Sequence, residues 1–253
     1  MIAAGTFRRL AALSSTELIL LRRNKVLLFN AALTPLVLVA LMAVNGGNTM
    51  DLESRAQLAS VLTGVMLLLV VYVNLLYAYV ARRDERVLTR LRAGECRDGE
   101  ILAGTAVPSV LIALGQLVVL FAVGASVLHM PVPAQPVLLV VGVLLGCLTF
   151  IGLALLTTLF TRNVEAAQVT SLPVLVLCVF GGGLAIPLDG LPAPLPDLAR
   201  LLPMSPVMEL VRLGWLGPVD GYRATLVPLA VGVAWALGGV LAARRWFRWD
   251  ARA

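Results

Sequence analysis

Residues 59–80 read ASVLTGVMLLLVVYVNLLYAYV and contain no charged side chain. A helix rises about 1.5 Å per residue, so a run of this length crosses the hydrocarbon core of a bilayer, which is about 30 Å thick. The apolar residues follow one another continuously, whereas the strands of an outer-membrane barrel alternate between apolar and polar residues. The stretch therefore predicts a transmembrane helix.

Five other stretches have the same character, and the composition of the chain agrees with them. Of its 253 residues, 60% are hydrophobic and 13% are charged, against about 25% charged in a soluble domain. Lipid offers no water to unpaired backbone groups, so each stretch is expected to be helical. We predict an all-α integral membrane protein with a single transmembrane domain, 1–253. Its six transmembrane helices are expected at about 26–44, 56–80, 104–128, 137–160, 169–188 and 226–243.

Lysine and arginine residues concentrate on one side of these spans. The N-terminal segment, the segment after the second span, the loop after the fourth span and the C-terminal tail hold sixteen of the twenty. The remaining loops hold four. Because positive residues are retained in the cytoplasm, both termini are predicted to be cytoplasmic. The formal charge of +6 is thereby assigned to membrane topology, and no nucleic-acid partner is expected.

The segment after the second span, RRDERVLTRLRAGECRDGE at 82–100, holds six arginines and five acidic residues. It predicts a short cytoplasmic helix at about 84–94 with three apolar side chains on one face. Arg82, Arg86 and Arg90 recur at every fourth position on another face, where like charges repel by about 0.2–0.5 kcal/mol per pair. An acidic partner would offset this repulsion. We favour a docked protein over the alternative, anionic lipid headgroups.

The N-terminal segment, 1–25, is amphipathic. Apolar residues at helical spacing share one face and arginines share another, which predicts an interfacial helix lying in the plane of the lipid headgroups. The alternative is an ordinary positive flank to the first span. The residues taken to define the interfacial helix are Phe7, Arg8, Arg9, Arg22 and Arg23.

The segment before the last span, 189–215, is rich in proline and glycine but too apolar for a loop in water. We predict short helices, broken by Pro203 and Pro206, that dip back into the outer leaflet or cap the bundle. Non-helical backbone at that depth requires surrounding protein. Three glycines in FGGGLAIP, 180–187, predict a bend or break in the fifth span. Two glycines four residues apart in the fourth span are either a close-packing face or a chance occurrence.

No catalytic motif is present in the sequence. A Ser/His/Asp set and an HExxH motif are missing, the sole histidine is His129, and the three cysteines have neither metal-ligand nor disulfide spacing. There is no phosphate-binding GxxxxGK(S/T) loop, and no charged residue lies clearly at mid-span, where an ion-coupled carrier needs one. The chain is expected not to be an enzyme by itself and to bind no cofactor or metal. A separate nucleotide-hydrolysing subunit is the expected energy source.

With this topology, the segment RDERVLTRLRAGECRDGEILAG at 83–104 resembles type-2 ABC transporter permeases, the membrane subunits of ABC exporters. Their segment follows the pattern R-E-x-G-T-L-x-x-L-x-A-x-P-x-x-x-x-E-I-L-x-G. Arg86 stands where the family has a glycine, and Glu95 where it has a proline. MSPVMELVRLGW, at 204–215, is also similar to the family's pattern before the last span. The matching positions are Arg83, Glu85, Leu88, Leu91, Ala93, Glu100, Ile101, Leu102 and Gly104.

The resemblance implies a half-transporter of the bacterial cell membrane. Two such subunits, identical or paralogous, would pair, and two ABC ATPase subunits that bind ATP and Mg would dock below them. The helix at about 84–94 would be the coupling helix, and the interfacial helix would contact both the ATPase and membrane lipids. The docking and coupling residues that it implies are Glu85, Arg86, Leu88, Leu91, Arg92 and Glu100.

The resemblance also implies a substrate path along the subunit interface, lined by the first, second and fifth spans, with 189–215 as the outer gate. Only 6% of the residues are aromatic, and the spans are apolar, which favours a hydrophobic or amphiphilic substrate such as a drug, an antibiotic or a lipid. The alternatives are a lipid-linked glycan exporter, an immunity or scaffold protein regulated by an ATPase, and an ion-coupled carrier. The candidate pathway or gate residues are Asn74, Phe180, Gly182, Leu202 and Met208.

Overall fold

The computed structural model of the protein describes residues 33, 35–37, 39, 40, 44, 50–85, 98–127, 129–183, 192–217 and 222–246. Three predicted features lie wholly or mostly outside these residues. They are the interfacial helix at 1–25, the first span at 26–44 and the coupling helix at 84–94.

From residue 50 onward the described residues form seven helices and no strand. Five of the helices are long and apolar enough to cross a membrane, which confirms the all-α membrane class. These five correspond to the second to sixth predicted spans. In chain order the helices are α1 (Leu52–Asp84), α2 (Asp98–Val127), α3 (Pro136–Thr158), α4 (Val164–Gly181), α5 (Leu195–Arg200), α6 (Ser205–Leu216) and α7 (Tyr222–Trp246). The last span lies within α7, at Ala224–Ala242.

The helix ends differ from the predicted bounds. α1 extends beyond the predicted span at both ends and α2 begins earlier, at Asp98. Helical hydrogen bonding continues there through polar residues at the edge of the apolar run, a continuation that hydrophobicity alone does not register.

The fourth helix, α4, lies several residues earlier than its predicted span, 169–188. The side chain of Asn163 caps its first turn by accepting a 2.8 Å hydrogen bond from the Ala166 N–H, the usual role of an asparagine at this position. At its other end, Gly183 has a φ of +66°, a left-handed conformation that favours glycine and ends helices. The helix therefore ends within the three glycines of FGGGLAIP.

The helices α1 and α3 form the centre of the bundle. In their apolar windows, 61% and 56% of the residues are buried, against 28% in α2, 22% in α4 and 17% in α7. The outer helices therefore present most of their apolar side chains away from the chain. A π-helical segment, Leu67–Val73, interrupts the regular hydrogen bonding of α1.

Glycines on α3 allow two other helices to approach it closely. A Cβ atom added to Gly142 would lie 2.9 Å from Leu210 Cβ on α6, and one added to Gly146 would lie 2.8 Å from Val207 Cγ1. On α7, Gly239 Cα would lie 2.7 Å from a Cβ atom at Gly152. The two glycines four residues apart are thus a close-packing face, and small residues serve this purpose widely between membrane helices.

The short helix α6 runs antiparallel to the first half of α3. Its C-terminal end is held there by two backbone hydrogen bonds, Gln135 N–H to Gly214 O at 2.9 Å and Ala134 N–H to Trp215 O at 3.3 Å. At its other end, Val207 meets α3 ten residues after the first residue of that helix, a distance of about 15 Å along the axis. Pro206 belongs to the first turn of α6, a position proline tolerates. The break between α5 and α6 therefore lies at 201–204, around Pro203 and directly before the turn that holds Pro206.

Candidate functional site

A buried arginine lies at the basic end of the bundle, the end where α1 and α3 finish and α2 and α4 begin. Arg83 is 2% exposed and points into the end of α3. Its Nη1 donates to Thr158 O at 2.9 Å, and its Nη2 donates to Thr161 O at 2.7 Å and to Arg162 O at 3.0 Å. A cation here offsets the negative end of the α3 dipole and satisfies carbonyls that the helix itself leaves unpaired.

Hydroxyl groups extend this contact to α4 and back to α1. Thr161 Oγ1 and Thr170 Oγ1 lie 2.8 Å apart, which joins the turn after α3 to α4. Tyr72, in the π-helical segment, has its hydroxyl 3.2 Å from Thr157 Oγ1. Because the Thr157 hydroxyl already donates to Leu153 O, the tyrosine is the donor. The basic ends of α1, α3 and α4 therefore share one polar network.

A second set of contacts joins α1 to α2. Arg82 Nη1 donates to Thr105 Oγ1 at 2.7 Å, and the Tyr79 hydroxyl donates to Leu102 O at 2.8 Å. Adjacent arginines therefore join the end of α1 to different neighbours, Arg82 to α2 and Arg83 to the turn between α3 and α4.

The predicted docking residues fall into three groups. Glu85 is exposed in the turn that ends α1, and its N–H donates to Ala81 O at 2.9 Å. Glu100, by contrast, is 4% exposed in the first turn of α2, a burial that does not favour direct contact with a partner. The remaining ones, Arg86, Leu88, Leu91 and Arg92, lie outside the described residues, as do the interfacial-helix residues Phe7, Arg8, Arg9, Arg22 and Arg23.

The short helices meet α4 at the point where α4 ends. A Cβ atom added to Gly181 would lie 2.5 Å from Leu202 Cβ, so only glycine allows this approach. The Ser205 hydroxyl, at the start of α6, is placed to donate to Gly181 O and to Ala199 O. One side of this junction is therefore formed by the end of α4 and the turn between α5 and α6.

Methionines form the other side of the junction, against α1. A Cβ atom added to Gly64 would lie 2.5 Å from Met204 Cε and 3.1 Å from Met208 Cγ. Met204 is fully buried and Met208 is 5% exposed. Methionine side chains are flexible and fill irregular spaces. We call the set Gly64, Gly181, Leu202, Met204 and Met208 the gate cluster, because it contains two of the residues predicted to form a pathway or gate.

The structure places only part of the predicted pathway in this cluster. Leu202 and Met208 belong to it, and Gly182 is buried next to it. Asn74 is exposed on α1 directly after the π-helical segment, and Phe180 is 50% exposed on α4. Gly64 was not predicted from the sequence to belong to this site. The sequence shows it only as a small residue within an apolar run.

Charged groups occur at the end of the bundle opposite the basic end. Arg212 on α6 donates to both carboxylate oxygens of Glu209, from Nε at 3.0 Å and Nη2 at 2.7 Å. Its Nη1 lies 3.8 Å from Glu53 Oε1, at the start of α1. Within the described part of the chain, no group of three or more His, Cys, Asp or Glu side chains could hold a metal ion.

The family of the chain follows from comparison with known protein families. The model of the ABC-2 type transporter matches residues 8–215, which include the basic end and the gate cluster. No curated protein matches the chain. The matched residues cover most of the chain, and they contain four of the five described membrane-crossing helices. The chain is a multi-pass membrane protein that belongs to the ABC-2 type transporter family, as a permease component.

Proposed function

We propose that the chain is the permease subunit of an ATP-driven exporter for a hydrophobic or amphiphilic molecule. The observation that carries the proposal is the arrangement at the basic end. There, Arg82 and Arg83 join α1 to α2 and to the turn between α3 and α4, next to the segment assigned to docking. A partner bound at this segment would act on all four helices at once.

The energy source is a separate chain. Family membership implies an ABC ATPase partner in general, and the sequence has no phosphate-binding loop in which ATP and Mg could be held. We propose two ATPase subunits and two permease subunits, the second permease being a copy of this chain or a paralogue. We propose a bacterial cell membrane, and the distribution of lysine and arginine supports a cytoplasmic location of the basic end and of both termini.

The gate cluster favours an apolar substrate. Its side chains are a leucine and two methionines against glycines of α1 and α4, with no charged group among them. Such a surface can adapt to hydrophobic molecules of different shapes. It offers little to the hydroxyl groups of a long glycan, so the lipid-linked glycan exporter remains the second candidate.

The proposal is tested in proteoliposomes that contain the chain and its ATPase, with a fluorescent amphiphilic dye as the probe. We expect ATP-dependent dye movement that persists when the proton gradient is collapsed. Loss of movement on collapse, with ATP still present, would instead indicate an ion-coupled carrier. Association with the ATPase without movement of either the dye or a lipid-linked glycan would favour the immunity or scaffold function.

A further inference from the structure

We propose that Arg83 is a positioning residue that transmits displacement of the 86–97 segment into α3, and through α3 to the gate cluster. The inference rests on the proposed function, in which an ATPase displaces this segment. It goes beyond that function by assigning the transmission to one buried side chain and one helix.

The first step of the transmission is the contact at the end of α3. Arg83 lies in the last turn of α1 and donates three hydrogen bonds to the carbonyls of Thr158, Thr161 and Arg162. A guanidinium is planar and holds its donors in a fixed fork. With 2% exposure, it has no room to reorient, so movement of the α1 end must move the turn after α3.

The second step is the length of α3. Its apolar run, Pro136–Thr158, has proline only at its first position, so its hydrogen bonding is regular throughout. α1 also reaches the gate cluster, through Gly64, but the π-helical segment Leu67–Val73 lies between Gly64 and Arg83. A regular helix transmits an axial displacement with less internal adjustment than one whose hydrogen-bond register changes.

The third step is the contact between α3 and α6. Gly146 lies against Val207 of α6, one residue before Met208 of the gate cluster. The Val207 side chain packs directly on the bare backbone of Gly146, so we expect α6 to follow α3 when α3 moves. Close packing of this kind is stiff, because protein interiors have few voids into which atoms can yield.

The test uses the full chain in complex with its ATPase in proteoliposomes. Met208→Cys is introduced in a background in which Cys96, Cys147 and Cys178 are replaced by alanine. The rate of its modification by a maleimide is measured without nucleotide and with ATP and vanadate. In this parent complex, ATP is expected to raise the rate, because the buried position becomes accessible when the gate opens.

Three variants then separate transmission from folding. The complex with Arg83→Met should continue to hydrolyse ATP. Its ATP-dependent rise in modification rate should be about two- to thirtyfold smaller than in the parent complex, the range by which mutations within packed networks change coupling. Arg83→Lys, which can still donate to the carbonyls, should restore part of it. Arg245→Met, the matched control, removes an exposed arginine in the last turn of α7, at the same end of the bundle, and should retain the rise.

The results that would overturn the inference are distinct. A full rise in Arg83→Met, an equal loss in Arg245→Met, or a parent complex that hydrolyses ATP with no rise each contradicts it while the proposed function stands. If Arg83→Met does not assemble, Arg83→Gln takes its place and is judged by the same results. A wild-type chain that binds no ATPase contradicts the proposed function and this inference together.

Discussion

Arg83 illustrates how a residue can be recognised from the sequence while its structural role is not. It matches the family pattern, but beside Asp84 and Glu85 it looks like one more charge at the end of a span. In the structure it is among the most buried large side chains of the described residues. A buried cation requires partners, and here backbone carbonyls supply them. Sequence patterns do not predict such partners, because they lie about 75 to 79 residues away along the chain.

Glu85 is the described docking residue that is exposed, and it permits a direct test. We expect Glu85→Ala to fold normally and to hydrolyse ATP, while dye export per ATP falls by about two- to thirtyfold, because the partner loses an acidic contact. The ratio of transport to hydrolysis in proteoliposomes measures this effect. We expect Arg92→Ala to act in the same direction.

A control for Glu85→Ala is available on α4. Glu165 is also exposed and lies in the first turn of α4 at the same end of the bundle. Glu165→Ala should leave the ratio unchanged. An equal fall in both variants would mean that general surface charge, rather than docking at Glu85, determines the effect.

Gly64 tests the gate cluster at a single position. In Gly64→Ala the new methyl group would press on the end of the Met204 side chain and on Cγ of Met208. Methionine side chains are flexible, so thermal stability should change little. Dye transport should change, because Met204 and Met208 must then take other rotamers. Gly115→Ala on α2, where nothing lies within 4 Å of the added atom, is the control and should leave transport unchanged.

At the scale of helices, the contact between α3 and α7 is the most restrictive one. In Gly239→Ala the added Cβ atom would lie 2.7 Å from Gly152 Cα, an atom of the backbone. Overpacking of this kind costs about 1–3 kcal/mol, so the variant should unfold at a lower temperature in detergent. Gly238→Ala, the neighbouring control, places its methyl group where nothing lies within 4 Å. Equal unfolding temperatures of the two variants would contradict the helix pairing.

Helices were predicted well and their partners were not. Each apolar run predicts a helix without reference to the rest of the chain, because hydrophobicity is a property of individual residues summed along a window. Pairing depends on residues that are distant in sequence, such as Gly152 and Gly239, and nothing local marks these two among 22 glycines. The polar ends of the helices were not predicted for a related reason. Asn163, for example, caps α4 through one hydrogen bond that forms only in the folded turn.

At the scale of the whole molecule, the proposed pairing of two permease subunits can be tested on the exposed apolar faces of the outer helices. Val176 on α4 is 51% exposed. If the second and fifth spans line the subunit interface, Val176→Cys should form disulfide-linked dimers in oxidised membranes. Leu237→Cys on α7, where the leucine is 57% exposed, should not. The cysteine-free background is used for both, and non-reducing gels provide the measurement. Dimers from Leu237→Cys alone would place the interface at α7 instead.

The glycine-lined faces of α3 have a consequence for the biosynthesis of the chain. The partners of these faces, α6 and α7, are translated last, so α3 enters the membrane before anything can fill the spaces at Gly142, Gly146 and Gly152. Until then those faces meet lipid, which packs poorly against bare backbone. A nascent chain truncated before residue 205 would retain α1–α4 but leave α3 incompletely packed, and cellular proteases act on such intermediates. The packing of α3 at the centre of the bundle is therefore completed only when translation ends.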